Sequence, residues 1–137
     1  MFSIFKKKKT VEQDQTLYFK DNESAFEFAL KTFGSNDDNT LVPEQLYFGR
    51  LLEDYRGVDH NNNCLYIELP SDNKTSLCFA VFPKDHPVVY PKGTLILFTP
   101  IRRETIDMIE SWLGIANGIV EPTFNLKLGW KFKERFV

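Results

Sequence analysis

The sequence predicts an α+β fold: a curved, mainly antiparallel sheet or partly open barrel of about five to seven strands, packed with two helices near residues 24–33 and 101–113. Three observations carry this. Short apolar runs bounded by turn residues fill the middle of the chain. Two stretches show apolar residues at helical spacing. Near the C-terminus, strict alternation runs for ten residues.

Leu17-Tyr18-Phe19 reads as a short strand. Ser24 and Glu27 then fit a capping box, and Phe26, Leu30 and Phe33 with Ala29 form one apolar stripe. Gly34 supplies the left-handed residue that ends such a helix. Gln45–Tyr55 fits either a helical face or a strand, and Gly49 favours a strand that bends there. Gly57–Asn63 has the composition of a turn. Cys64–Leu69 and Thr75–Phe82, joined by Pro70–Lys74, read as a hairpin.

Pro83, Pro87 and Pro91 make Lys84–Gly93 a connecting loop, and Thr94–Phe98 follows as a buried strand. Ile101, Thr105, Met108, Ile109, Trp112 and Leu113 keep helical spacing up to Gly114, although Arg102 and Arg103 oppose the dipole of a helix starting there. Gly114 to Gly118 reads as a turn. Finally Phe124, Leu126, Leu128, Trp130 and Phe132 alternate with polar residues, which predicts one long strand with a lysine-rich outer face.

At 137 residues the chain has the size of one domain, and residues 1–15 read as a flexible tail before a single globular domain at 16–137. Thirteen phenylalanines point to a core of bulky rings. Two cysteines imply no disulfide framework, which fits a reduced, cytoplasmic setting. The N-terminal lysines follow the apolar Met1–Phe5 rather than precede it, unlike a secretory signal. No apolar run is long enough for stable membrane insertion. Phe2, Ile4, Phe5 and Lys6–Lys9 would at most touch an anionic surface weakly and reversibly.

Catalytic motifs are absent: there is no nucleophile elbow, phosphate loop or paired-histidine zinc motif. His60, Cys64, Cys78 and His86 lack any zinc-site spacing, so neither metal nor cofactor is expected. A Cys–His nucleophile pair has no support beyond His86 lying in a loop. Both tryptophans fall on apolar faces and read as core.

Charge is uneven. Residues 11–62 hold eleven acidic groups against four basic ones, while the chain as a whole stands at −2. That balance lacks the dominant basic field of a nucleic-acid binder. Asp37, Asp38, Glu44, Glu53, Asp54 and Asp59 form the candidate surface for steering a basic protein partner. Lys127, Lys131 and Lys133, with nearby Arg135, form an anion-facing or edge-guarding face. The expected function is therefore a non-catalytic protein-interaction domain, with an inhibitor- or immunity-type protein as one concrete form. The alternative is a small-ligand-binding barrel, or a small enzyme whose site assembles from dispersed residues such as His86, Tyr90, Glu68 and Arg50. Homo-oligomerisation is not legible.

Overall fold

The computed structural model describes residues 15–57, 63–72, 76–84 and 86–136. Expectations concerning residues 1–14, Asp59 and His60 lie outside the described residues. Strand β1 (Thr16–Tyr18) leads into helix α1 (Asn22–Phe33), and a 3-10 turn (Asp38–Thr40) precedes β2 (Tyr47–Leu51). Then follow β3 (Cys64–Leu69), β4 (Ser76–Val81), β5 (Leu95–Ile106), β6 (Ile109–Asn125) and β7 (Gly129–Arg135).

Neighbouring strands run β6-β4-β3-β2-β5 and return to β6, which closes a five-stranded barrel. Only the β4–β6 ladder is parallel. β1 and β7 flank the far half of β6 on its two edges and lie outside the closed ring. The expected α+β architecture is thus a closed barrel with two added strands and, among the described residues, one α-helix rather than two. None of the described helices is long and apolar enough to cross a membrane.

Strand alternation explains the barrel interior. Leu65, Ile67 and Leu69 of β3 point inward, while Cys64, Tyr66 and Glu68 face out. Cys78 and Ala80 from β4, Ile96 and Phe98 from β5, and Phe82 meet them in one core cluster. The opposite face of β5 is also covered. Leu95 and Leu97 pack with Phe48 and Val120 beneath Ala25, Phe26 and Ala29 of α1. Burial on both faces is why residues 95–98 form an unbroken apolar run.

Helix α1 starts slightly earlier than its sequence signal. Asp21, not Ser24, is the N-cap, its carboxylate accepting from the Ser24 amide at 2.8 Å. The C-terminal signal holds, with Gly34 at φ 86° donating to the Leu30 carbonyl at 2.9 Å. Gln45–Tyr55 contains a strand, as favoured. Gly49 is required there because a Cβ would sit 2.9 Å from the Glu68 carbonyl oxygen.

The helix expected at 101–113 is instead a β-hairpin. Asp107 and Met108 both adopt positive φ (51° and 67°), the backbone of a tight two-residue turn, so Ile106 pairs with Ile109. Arg103 pairs with Trp112 across the strands, its guanidinium 5.8 Å from the ring centre. The apparent helical spacing comes from apolar residues on two facing strands. Pro100 is accommodated beside a bulge between Pro100 and Arg102, where a missing N–H disturbs the ladder least. The hairpin tip lies against the outer face of β3, where the Tyr66 hydroxyl donates to Asp107.

Gly114 and Gly118 are likewise not in a turn but inside β6. A Cβ on Gly114 would lie 2.1 Å from the Thr99 carbonyl oxygen, and one on Gly118 2.3 Å from that of Glu134. The long alternating strand is also divided. β6 ends at Asn125, residues 126–128 turn, and β7 starts at Gly129 with φ 86°. The Asn125 side chain accepts from the amides of Lys127 and Leu128, both at 2.9 Å. Alternation survives the turn because Phe124 and Trp130 are cross-strand partners on one face.

Two expected outcomes follow from these contacts. Gly114→Ala should lower stability by about 2–3 kcal/mol, since backbone rather than a flexible side chain blocks the new methyl. Urea denaturation with an unchanged midpoint would contradict the close approach. The hydrogen bond to Asp107, then burial and the Asp107 charge, push the Tyr66 phenol up to about 12. Because the folded value is raised, this contribution to stability is complete below the unfolded value of about 10 and is lost as pH rises towards the folded one. Ultraviolet titration should find Tyr66 and Tyr90 both ionising late, and Asp107→Asn should return Tyr66 alone towards the ordinary range. A Tyr66 midpoint that ignores that substitution would remove the assignment.

Candidate functional site

The residues left over from the barrel core gather on its helix-covered side. Trp130 of β7 stacks on Phe48 of β2 at 3.9 Å with only 10° between the rings. Phe124 stands 4.9 Å from Trp130, and Phe19 and Phe28 stand 6.2 Å from it. Phe33 continues the cluster, edge-on to Phe28 at 6.0 Å. Five of the thirteen phenylalanines gather here with Trp130, fastening β7 and α1 to the outside of the barrel.

Beside this stack a groove of about 560 Å³ opens. Its floor comes from Ala29, Phe48, Leu97, Trp130 and Phe132, and its rim from Phe33, Leu46 and Leu128. Those rim side chains are 55%, 58% and 86% exposed. Three large apolar residues around one concavity differ from scattered surface leucines, because water must wet them together. Leu128 is held out by the Asn125 turn, and Leu46 sits immediately before β2. Arg135 closes one end, its guanidinium 4.0 Å over the Phe132 ring.

The expected acidic surface is spread along the fold. Asp37 accepts from the hydroxyls of Ser35 and Ser71 at 3.1 and 3.3 Å, and Glu44 adopts φ 70° while its amide donates to the Pro100 carbonyl. Both lie at the N-terminal end of β2, next to the groove residues Asn36 and Leu46. Glu53 and Asp54 lie beyond the other end of β2. Their carboxylates accept from the amides of Tyr66 at 2.9 Å and Lys92 at 2.7 Å. Asp38 contributes backbone to the 3-10 turn. The carboxylates of Asp37, Glu53 and Asp54 secure loops, the first at one end of β2 and the other two beyond its opposite end.

Lys127 lies in the β6–β7 turn, and Lys131 and Lys133 stand exposed on β7, while Arg135 folds over Phe132 at the groove. Lys131 reaches Glu121 of β6 at 3.8 Å while remaining largely exposed.

The dispersed set falls into two groups that share no member. Arg50 bonds Glu23 of α1 at 2.7 Å and Glu68 of β3 at 2.8 Å, with its guanidinium 3.9 Å over Phe26. That pairing docks the helix on the barrel. His86 and Tyr90 meet Glu134 at the end of β7. His86 Nε2 is 3.1 Å from Glu134 Oε2 and 3.0 Å from the Tyr90 hydroxyl, which itself donates to Glu134. Burial, then the bond to Glu134, push the Tyr90 phenol well above its ordinary range. Their polar atoms face one another, and the Tyr55 hydroxyl donates to the His86 carbonyl at 3.0 Å. The trio is a clasp holding the end of β7 to the β4–β5 loop.

Cys64 and Cys78 stand on opposite faces of the β3–β4 ladder, Cys64 outward and Cys78 inside the core. Burial, and then the carboxylates of Glu53 and Asp107, push the Cys64 thiol up, which disfavours the nucleophilic thiolate. Among the described residues no three His, Cys, Asp or Glu gather as a metal site.

Sequence reasoning missed Phe33, Leu46 and Leu128 as rim residues and Glu134 as a clasp residue. The signal for Leu128 was the Asn125-x-x-x-Gly129 turn, which takes the leucine off the core face. No comparable signal marks Glu134, whose partners lie more than forty residues away. Glu134→Ala should cost about 1–2 kcal/mol and speed amide exchange in the last residues of β7. Exchange there no faster than in the unaltered chain would refute the clasp.

The chain matches no protein-family model, no curated protein and no solved structure.

Proposed function

We infer that the chain is a non-catalytic protein-interaction domain whose contact surface is the aromatic groove between α1, β2 and β7. One observation carries this reading: Phe33, Leu46 and Leu128 stand exposed around a single apolar concavity whose floor is built from a rigid ring stack. Burying such side chains against a partner returns roughly 25 cal/mol for each Å² removed from water. An anchor residue entering a preorganised aromatic floor also loses little to rearrangement of the receptor.

The groove supports this reading better than the acidic residues do. A basic partner would need the carboxylates assembled, whereas Asp37 and Glu44 lie at one end of β2 and Glu53 and Asp54 beyond the other. An inhibitor- or immunity-type role remains one form of the proposal, with apolar anchoring rather than acidic steering as its main term. The ligand-binding alternative has less behind it. The barrel interior is filled by Leu65, Ile67, Leu69, Phe82, Ile96 and Phe98, and the polar atoms of His86, Tyr90 and Glu134 engage one another.

The test compares proteins retained by the unaltered chain in extracts of its native cells with those retained by a Leu46→Asp/Leu128→Asp variant. Both positions are exposed, so circular dichroism and melting temperature should stay unchanged. At least one specific partner should disappear from the variant, and its purified form should lose affinity by about tenfold or more. An identical set of retained proteins would overturn the groove as the contact surface.

A further inference from the structure

We propose that the groove takes its partner as an added β-strand: an extended segment of another protein, with acidic side chains at alternate positions and apolar ones between, pairs with the outer edge of β7. This rests on the groove being the contact surface and specifies what occupies it.

The first support is the edge itself. Among the described residues β7 pairs with β6 alone, so its other edge has no strand partner. The groove is lined by Gly129, Trp130, Phe132 and Arg135 of β7 and by no residue of β6. It therefore opens on the side of β7 away from its only strand partner. An extended segment entering the groove passes along that edge, where main-chain N–H and C=O groups supply a ladder.

The second support is the charge pattern. β7 sends Trp130 and Phe132 towards the protein, and Arg135, past a bulge at Lys133, folds over the Phe132 ring, while Lys131 and Lys133 stand exposed. Side chains directly opposite on paired strands lie about 5 Å apart, where like charges oppose pairing and unlike charges favour it. An antiparallel pairing of two copies of β7 centred on residue 132 would set Lys131 against Lys133. One centred on residue 133 would set Lys133 against itself. The cations thus discourage self-pairing and match a strand bearing Glu or Asp at every second position. The intervening side chains of that strand point to the opposite face, towards Trp130, Phe132, Leu46 and Leu128. The two lysines guard the edge against copies of this chain and select one class of foreign strand.

The experiment uses the full chain and a synthetic, end-capped peptide of alternating Glu and Val. Its controls are the Lys–Val counterpart and a peptide with the same Glu and Val in two blocks. Amide exchange followed by nuclear magnetic resonance reads the ladder, and titration reads affinity. The alternating acidic peptide should protect β7 amides in the 129–135 segment and bind more tightly than both controls. Lys131→Glu/Lys133→Glu should weaken it by about tenfold and improve the Lys–Val peptide. Lys131→Gln/Lys133→Gln, which adds no new charge, should fall between.

Equal binding of acidic and basic peptides, or no binding of the alternating acidic peptide, would overturn the proposal. So would acidic-peptide binding without protection of β7. Any of these results together with loss of a native partner in Leu46→Asp/Leu128→Asp would leave the groove standing as a contact surface and remove only strand addition. Protection of β7 with no partner lost in that variant would instead separate the edge from the groove.

Discussion

The structure depends on one long strand being paired on both edges over most of its length. β6 pairs with β5 and β4 over its first half, which closes the barrel, and with β1 and β7 over its second half, outside the ring. A strand so crowded cannot carry a side chain everywhere. Gly114 lies against Thr99 and the Phe98 ring, and Gly118 against Glu134 and the Phe132 ring. Between them the pairing skips Asn117, so Leu97 faces Gly118 while Phe98 faces Ala116. The bulged residue is not wasted, because its carbonyl accepts from Phe136 at 3.0 Å and its amide group donates to Thr99 at 2.7 Å. An added residue also changes which side chains face inward. Ala116 and Ile119 therefore belong to the barrel core, while Val120 belongs to the cluster beneath the helix.

The groove is a consequence of that arrangement. Because β7 leaves the ring with the second half of β6, its inward side chains meet the outside of the barrel rather than its interior. Trp130 finds Phe48 there, and the helix supplies Phe26 and Phe28 to complete the packing. The Arg50 ion pairs to Glu23 and Glu68 fix the helix from one side, while the clasp of Glu134 on His86 and Tyr90 fixes the end of β7 from another. These pairs join separate elements and are partly buried, so they fix position as well as adding stability. They hold the two walls of the concavity at a set separation.

Local chemistry made part of this legible in the sequence. The β3–β4 hairpin was readable because Leu65, Ile67 and Leu69 alternate with outward residues between clear turn signals. α1 was readable because Gly34 and the apolar stripe mark its end and inner face. Misreadings arose where a turn lacked its usual residues. Asp107-Met108 occupies a two-residue turn that normally selects Asn-Gly or Asp-Gly, so nothing interrupted the false helical spacing. The adverse positions of Arg102 and Arg103 were the contrary signal, and cross-strand placement beside Leu113 and Trp112 accounts for them. At Asn125–Gly129 the turn residues were present, but the alternation on either side masked them. The candidate site was less legible than the fold. Its rim joins residues 33, 46 and 128, which no local pattern connects, and its ring stack reads in sequence only as an excess of phenylalanine.

The charges of β7 and the apolar rim also belong to one physical problem. A strand with an open edge beside exposed leucines and an aromatic floor is a hazard, because another copy can pair with it and bury the rim at once. Lysines on the outward face are the common protection, and Lys131 and Lys133 supply it. Yet repulsion of that kind is selective rather than general. It opposes strands with cations at the facing positions, does little to neutral ones and favours acidic ones. The same two lysines that keep copies of this chain apart therefore leave the edge open to a partner of opposite pattern. In this molecule, protection of the edge and recognition through it have the same structural cause.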